Sequence, residues 1–392
     1  MNKLFKRIAA TALAATMALG LAGCNNSENE GDGGSNKLII GGIGPITGGA
    51  AQYGIAVKNG IQLAVDEINA AGGVNGMMLE LDFQDDENDP EKSVNAYNKL
   101  KDNGMKMLVG TVTSKPCEAV SVDAAKDNIF LITPSGSSVE CITAGDNCFR
   151  MCFTDPMQGQ IAAEYIGANM SAKKIGIIFD SSDPYSSGIV DGFKAVAGNN
   201  GLTIVAEQSF TSDTNKDFNV QIQKIAESGA ELLFLPFYYS EVALVLQQAE
   251  GKLNIPVFGG DGLDGLIGAL GDKITVADGV YVMSPYASTS PDEKSVKFTN
   301  AYQAKFTDEV NQFAADGYDC VYAIKAALEK AGINDASMSA SDICSKIKAA
   351  MLEIELDGVT GKTKWTADGE SAKAPKVMKI VVKDGKGSYE VL

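Results

Sequence analysis

Short apolar runs, each breaking into a glycine- or hydroxyl-rich loop and then into a helix, recur along most of this 392-residue chain, and few folds accommodate that rhythm. Strand-like segments occur at Lys37 to Gly41, Leu79 to Phe83, Met105 to Gly110 and Ile129 to Ile132. GGIGPITGGAAQYG, Gly41 to Gly54, reads as a loop before the first helix, where Val57, Ile61, Ala64, Val65 and Ile68 repeat at helical spacing up to Gly72-Gly73. Asp89-Pro90 starts a second helix and a third runs from about Cys117 to Asp127. Parallel neighbours can be joined only by a crossover, so this alternation predicts a parallel sheet with helices on both faces. After Thr154-Asp155-Pro156 the rhythm starts afresh, with strands at Lys174 to Asp180, Leu202 to Gln208, Glu231 to Pro236 and Ile255 to Phe258. A further strand at Val280 to Met283 is followed by helices at Glu293 to Phe306 and Gly317 to Ala331 and by late strands at Val377 to Val382 and Ser388 to Leu392. A tail of that length implies that the chain crosses back. The expected architecture is α/β, two doubly wound parallel-sheet lobes joined by a hinge: residues 37–154 plus 286–376, and 155–285 plus 377–392.

Composition narrows the chemistry. A formal charge of -17 argues against nucleic acid and anionic membrane as general partners. With no histidine in the chain, imidazole acid/base catalysis and imidazole metal ligation are ruled out, and neither metal nor cofactor is expected. Lys3, Lys6 and Arg7 precede an apolar segment, Ile8 to Gly20, that is too short to span a bilayer as a mature helix. Leu21-Ala22-Gly23-Cys24 then resembles the lipobox of bacterial lipoproteins, which makes residues 1–23 a signal peptide, Cys24 the lipidated residue and 24–36 a polar, glycine-rich tether. Of the remaining six cysteines, Cys141 and Cys148 bracket a short loop and form the best candidate disulfide.

Loops at the carboxyl ends of parallel strands form a sheet's usual ligand crevice. In the first half these loops carry Tyr53, then Ser114, then Ser135 and Ser137, offering hydroxyls and accessible backbone N–H groups. In the second half they carry Tyr185, Tyr238 and Asp261, the last set among glycines. Neutral donors facing a lone carboxylate describe a site for an α-amino acid, with the carboxylate held on one side and the ammonium on the other.

From Lys37 to about Val382 the chain resembles the leucine/isoleucine/valine-binding protein family, the solute receptors of ABC transporters. The resemblance is carried by Gly44-Pro45 and AQYG ending at Gly54, LAVDEINAAGGVNG ending at Gly76, DDENDPEK from Asp85 to Lys92, ITPS from Ile132 to Ser135, and GYD around Tyr318. It implies ligand contacts at Ser114, Ser135 and Ser137, an ammonium-binding acid at Asp261 where a glutamate is more usual, and pocket walls at Tyr53, Tyr185, Tyr238 and Phe313. It further implies a non-enzymatic, monomeric receptor that closes over an amino acid and docks on a membrane permease. A ligand-sensing subunit of a signalling complex is the alternative expectation. A dinucleotide reading of the loop around Gly42 and Gly44 fails, since Pro45 removes an N–H that pyrophosphate would need.

Overall fold

The computed structural model describes residues 36–392; the leader, Cys24 and most of the tether lie outside them. The first sheet contains β1 (Lys37–Gly44), β2 (Met78–Asp85), β3 (Met107–Gly110), β4 (Phe130–Thr133) and β5 (Cys148–Arg150), all parallel, in the spatial order β2-β1-β3-β4-β5. Its crossovers are α1 (Ala51–Ala70), α2 (Pro90–Asp102) and α3 (Ser114–Asp127). The chain then enters α4 (Asp155–Asn169) and builds a second sheet from β6 (Lys174–Asp180), β7 (Thr203–Phe210), β8 (Leu232–Leu235), β9 (Val257–Gly259) and β10 (Tyr281–Ser284). Connecting these strands are α5 (Pro184–Ala197), α6 (Asn219–Glu227), α7 (Tyr239–Ala249) and α8 (Leu266–Leu270). Next come α9 (Glu293–Lys305), α10 (Gln312–Lys330), α11 (Ala340–Met351) and a hairpin of β11 (Leu356–Gly358) and β12 (Gly361–Thr363). Of these, α9 and α10 pack on α1 and α11 packs on β4, back at the first sheet. Finally β13 (Lys376–Lys383) and β14 (Lys386–Val391) extend the edge of the second sheet, giving the order β14-β13-β10-β9-β8-β6-β7. The second sheet is therefore mixed rather than purely parallel, because β13 runs antiparallel to β10 and β14 antiparallel to β13.

Several boundaries move from where the sequence pattern puts them, each for a local reason. β1 runs on to Gly44, through glycines expected to begin a loop. They are needed inside the strand: a Cβ at Gly41 would lie 2.1 Å from the Met105 sulfur, and one at Gly42 would lie 2.3 Å from the Phe83 ring. Helix α10 starts five residues earlier than its apolar spacing suggests, with the Asn311 side chain accepting from Ala314 N at 3.2 Å. Tyr185, expected in a strand-end loop, lies in the first turn of α5, which Asp183 caps and Pro184 begins. Neither α11 nor the β11–β12 hairpin is anticipated by the sequence pattern.

The expected Cys141–Cys148 disulfide is not present, and all six described cysteines are free, buried thiols. Each of the two faces a different turn of α3, with Cys141 Sγ donating to Ser114 O at 3.7 Å and Cys148 Sγ to Ser121 O at 3.8 Å. Among the described residues no helix is long and apolar enough to cross a membrane.

Helices α1 and α10 approach until backbone meets backbone. A Cβ at Gly60 would lie 2.0 Å from the Ala314 carbonyl oxygen, and one at Gly317 would lie 2.8 Å from that of Val57. Since α10 carries Phe313 at its start, this contact fixes one wall of the cleft between the sheets. Gly60→Val is expected to lower stability by about 2–3 kcal/mol in chemical denaturation. Gly198→Ala, at a position with helical backbone and open space around it, serves as the unaffected control.

Candidate functional site

Between the two sheets lies a narrow cavity of about 10 Å³, lined by Tyr53, Val112, Thr113, Ser114, Ser135, Tyr185, Tyr238, Asp261, Gly262 and Phe313. Topology assembles it. Parallel strands all deliver their loops to one edge, so Tyr53 follows β1, Thr113 and Ser114 follow β3, and Ser135 follows β4. From the second sheet come Tyr185 in the first turn of α5, Tyr238 at the N-cap of α7, and Asp261 in a 3₁₀ turn, Asp261–Leu263, after β9. The aromatic rings pack on one another: Tyr53 stands edge-on to Tyr238 at 5.5 Å between centroids, Tyr238 stacks on Tyr185 at 5.1 Å, and Phe313 lies 4.3 Å from Tyr53. A wider groove along the segments that cross between the sheets, near Pro285 and Lys376, is open to solvent; the residues that the strand-end loops deliver meet at the smaller cavity instead.

Hydrogen-bond saturation tells which of those groups are free to act. Ser114 Oγ accepts from the backbone N–H groups of both Ser137 and Ser138 at 3.2 Å. Its two lone pairs are thereby used, and its own O–H remains as a donor. Ser135 is the reverse case: its O–H donates to Val112 O at 2.6 Å, leaving only acceptor capacity. Tyr53 donates to Gly262 O at 2.5 Å and accepts from Tyr239 N at 3.2 Å, while Tyr185 donates to Asp261 Oδ1 and accepts from Gly262 N, both at 2.8 Å. These two tyrosine hydroxyls are spent, so their rings serve as wall. Asp261 keeps its second carboxyl oxygen outside this network. Ser114 is also the first residue of the 14-residue α3, whose opening N–H groups have no acceptor within the helix. One side of the cavity therefore presents a hydroxyl donor and a positive helix end, and the other a carboxylate.

Buried Arg150 holds the serine loop in this pose by donating to the carbonyls of Gly136, Ser137 and Val139 at 3.3, 2.9 and 3.1 Å, while its Nε lies 3.1 Å from Glu370. With those carbonyls drawn to Arg150, the Ser137 and Ser138 amides are left to face Ser114. Around the cavity the acids outnumber the bases. Burial pushes Asp261 up to about 6 despite the Tyr185 hydrogen bond, takes Asp183 and Asp264 up to about 7, and drives Asp155 well above the usual carboxylate range. Both carboxyl oxygens of Asp155, together with Ser137 Oγ, Thr113 Oγ1 and Gln158 Nε2, are buried without a hydrogen-bond partner. Among the described residues no cluster of His, Cys, Asp and Glu is arranged to hold a metal.

Of the residues singled out from the sequence, Tyr53, Ser114, Ser135, Tyr185, Tyr238, Asp261 and Phe313 meet at the cavity. Ser137 does not line it. Its backbone N–H is engaged by Ser114, its carbonyl is held by Arg150 and Asp155 N, and its side chain is fully buried. Ser135, read from the sequence as a donor, is an acceptor here. Thr113, beside Ser114 in the loop after β3, also lines the cavity, while sequence reasoning missed Gln158, whose Oε1 accepts from Asp261 N at 3.0 Å, and Gln312, whose Nε2 donates to Asp261 O at 2.9 Å. Gln158 stands in no motif, whereas Gln312 follows an asparagine that is a helix-capping signal.

The chain matches the periplasmic binding protein family over residues 37–386. It is 33% identical over 304 residues to Leu/Ile/Val-binding protein homolog 3 of Brucella melitensis, which covers 76% of this chain and 81% of that protein. The leucine-, isoleucine-, valine-, threonine- and alanine-binding protein of Pseudomonas aeruginosa is 31% identical over 296 residues, 74% of this chain and 78% of that one. Among solved structures, the branched-chain amino acid transporter substrate-binding protein LivJ of Streptococcus pneumoniae, in complex with isoleucine, aligns with a TM-score of 0.80 and 29% identity, covering 91% of this chain and 99% of that one. With a type I fold of two α/β sheets whose strand-end loops meet at one cavity, the chain belongs to the Leu/Ile/Val-binding branch of the periplasmic binding proteins.

Proposed function

We propose that this protein is the extracytoplasmic solute receptor of an ABC importer, closing over one branched-chain-type α-amino acid and presenting it to a membrane permease. The observation that carries this reading is the split of free hydrogen-bonding capacity across the cavity: the Ser114 hydroxyl and the α3 N-terminus on one side, and the unspent Asp261 oxygen on the other. A zwitterion fits that split, its carboxylate toward α3 and its ammonium toward Asp261, with Ser135 Oγ as a further acceptor. The aliphatic side chain then lies among the rings of Tyr53, Tyr238 and Phe313. The branched-chain amino acids in the names of the relatives support the same ligand class.

Binding proceeds by closure of two lobes, residues 37–154 plus 286–376 and 155–285 plus 377–392, about the three connecting segments. Closing removes water and strengthens each charge-assisted bond, so affinity draws on both lobes. No step of the cycle needs a nucleophile, a metal or a cofactor, and the receptor works as a monomer without enzymatic activity. Its anchor is a lipid on Cys24, which leaves the folded part beside the permease at the membrane surface.

Leucine, isoleucine or valine is expected to raise the melting temperature and to bind in calorimetry. Asp261→Asn is expected to weaken that binding by roughly 10- to 150-fold, the span of one hydrogen bond to a charged group; a loss below about threefold would contradict the ammonium assignment. The pH dependence follows from the same group. Its carboxyl, raised to about 6, is ionised above that value and able to hold an ammonium. Affinity is therefore flat above about pH 7 and falls toward about tenfold per unit below pH 6. Asp261→Asn should flatten this slope, and equal wild-type affinities at pH 7.5 and 5 would exclude the role.

A further inference from the structure

The 3₁₀ turn that presents Asp261 to the cavity ends on a second buried carboxylate, Asp264, which is only 3% exposed. Its Oδ2 accepts the backbone N–H of Gln312 at 2.9 Å. Gln312 is the first residue of α10, the helix that packs on α1 beside the first sheet, whereas the turn follows β9 of the second sheet. This hydrogen bond therefore spans the cleft. The opening N–H groups of a helix have no partner within it, and Asn311 satisfies only that of Ala314. For the N–H of Gln312 the acceptor comes from the opposite lobe, placing a carboxylate at the positive end of a 19-residue helix.

The same four-residue segment is held at two further points. Gln312 Nε2 donates to Asp261 O at 2.9 Å, and Tyr53 OH donates to Gly262 O at 2.5 Å. One end of the segment faces the cavity while its other end grips the facing lobe. We propose that Asp264 is a positioning residue that latches the closed receptor, converting capture of the ligand ammonium by Asp261 into retention through its cap on α10. This inference rests on the closure reading above. A contact that spans the lobes is lost when they part, so the latch slows ligand release and leaves capture by the open form untouched.

Proline isolates the bond. It is tolerated at the first position of a helix, where its missing N–H leaves the internal ladder intact, and Asn311 already has the extended backbone, φ -138° and ψ -178°, that a residue before proline adopts. Gln312→Ala removes only the side-chain bond to Asp261, whereas Gln312→Pro removes the N–H as well. By stopped-flow with leucine, isoleucine or valine, Gln312→Pro is expected to release ligand about tenfold faster than Gln312→Ala, with association rates within about threefold. Asp264→Asn, which keeps an acceptor oxygen, is expected to lie closer to wild type than Asp264→Ala. Equal release rates in the two Gln312 variants, or a difference confined to association, would overturn the latch. Should the wild type bind none of the three amino acids, the radius of gyration of the ligand-free variants decides. A larger radius for Gln312→Pro than for Gln312→Ala keeps the latch and overturns only the choice of ligand, and equal radii overturn the latch too.

Discussion

A carboxylate buried without a cation is the constraint on which the rest of this molecule turns. Asp261 is 4% exposed, bonded to a tyrosine hydroxyl through one oxygen and surrounded by other buried acids rather than by bases. Desolvating such a group is costly unless a positive charge joins it. In the proposed reading a ligand ammonium supplies that charge, so stability of the closed form and affinity for the ligand share one origin, the electrostatic deficit at Asp261.

Everything else at the site limits what can answer that deficit. The hydroxyls of Tyr53 and Tyr185 are saturated by Gly262 and its neighbours, so they offer no competing donors to a ligand and contribute apolar surface. Arg150 takes up the carbonyls of the serine loop, which turns that loop's amides to Ser114 and forces the Ser114 hydroxyl to donate. A chain of satisfied partners, beginning at one buried guanidinium, so fixes the polarity of a hydroxyl on another loop. On the proposed reading, specificity for a zwitterion over a simple amine or a simple acid comes from having both poles defined this way.

Much of this was legible before any coordinates. The strand, loop and helix rhythm predicts a doubly wound architecture because parallel strands leave no other connection, and loops at strand ends, taken with the family resemblance, point to Ser114, Ser135 and Asp261. What escaped did so for physical reasons. Gly41 and Gly42 look like loop residues but lie in β1, since the need for close approach by Met105 and Phe83 is invisible in a linear pattern. Ser135 and Ser114 are identical in type, and only their partners, Val112 O for one and two amides for the other, make one an acceptor and the other a donor. Gln158 and Gln312 act on Asp261 from 103 and 51 residues away, a separation no local signal bridges. The antiparallel edge formed by β13 and β14 depends on where the returning chain finds an unpaired strand, which sequence order does not state.

Proton release on ligand binding tests the central claim most directly. Burial raises the Asp261 carboxyl to about 6, so near that pH part of the closed, empty population carries a proton that is lost when an ammonium takes its place. Calorimetry of leucine binding near pH 6, repeated in buffers of differing ionisation enthalpy, is predicted to show net proton release on binding, absent in Asp261→Asn. Binding with no proton released, or with uptake, would mean that the buried carboxylate and the ligand's positive charge never meet.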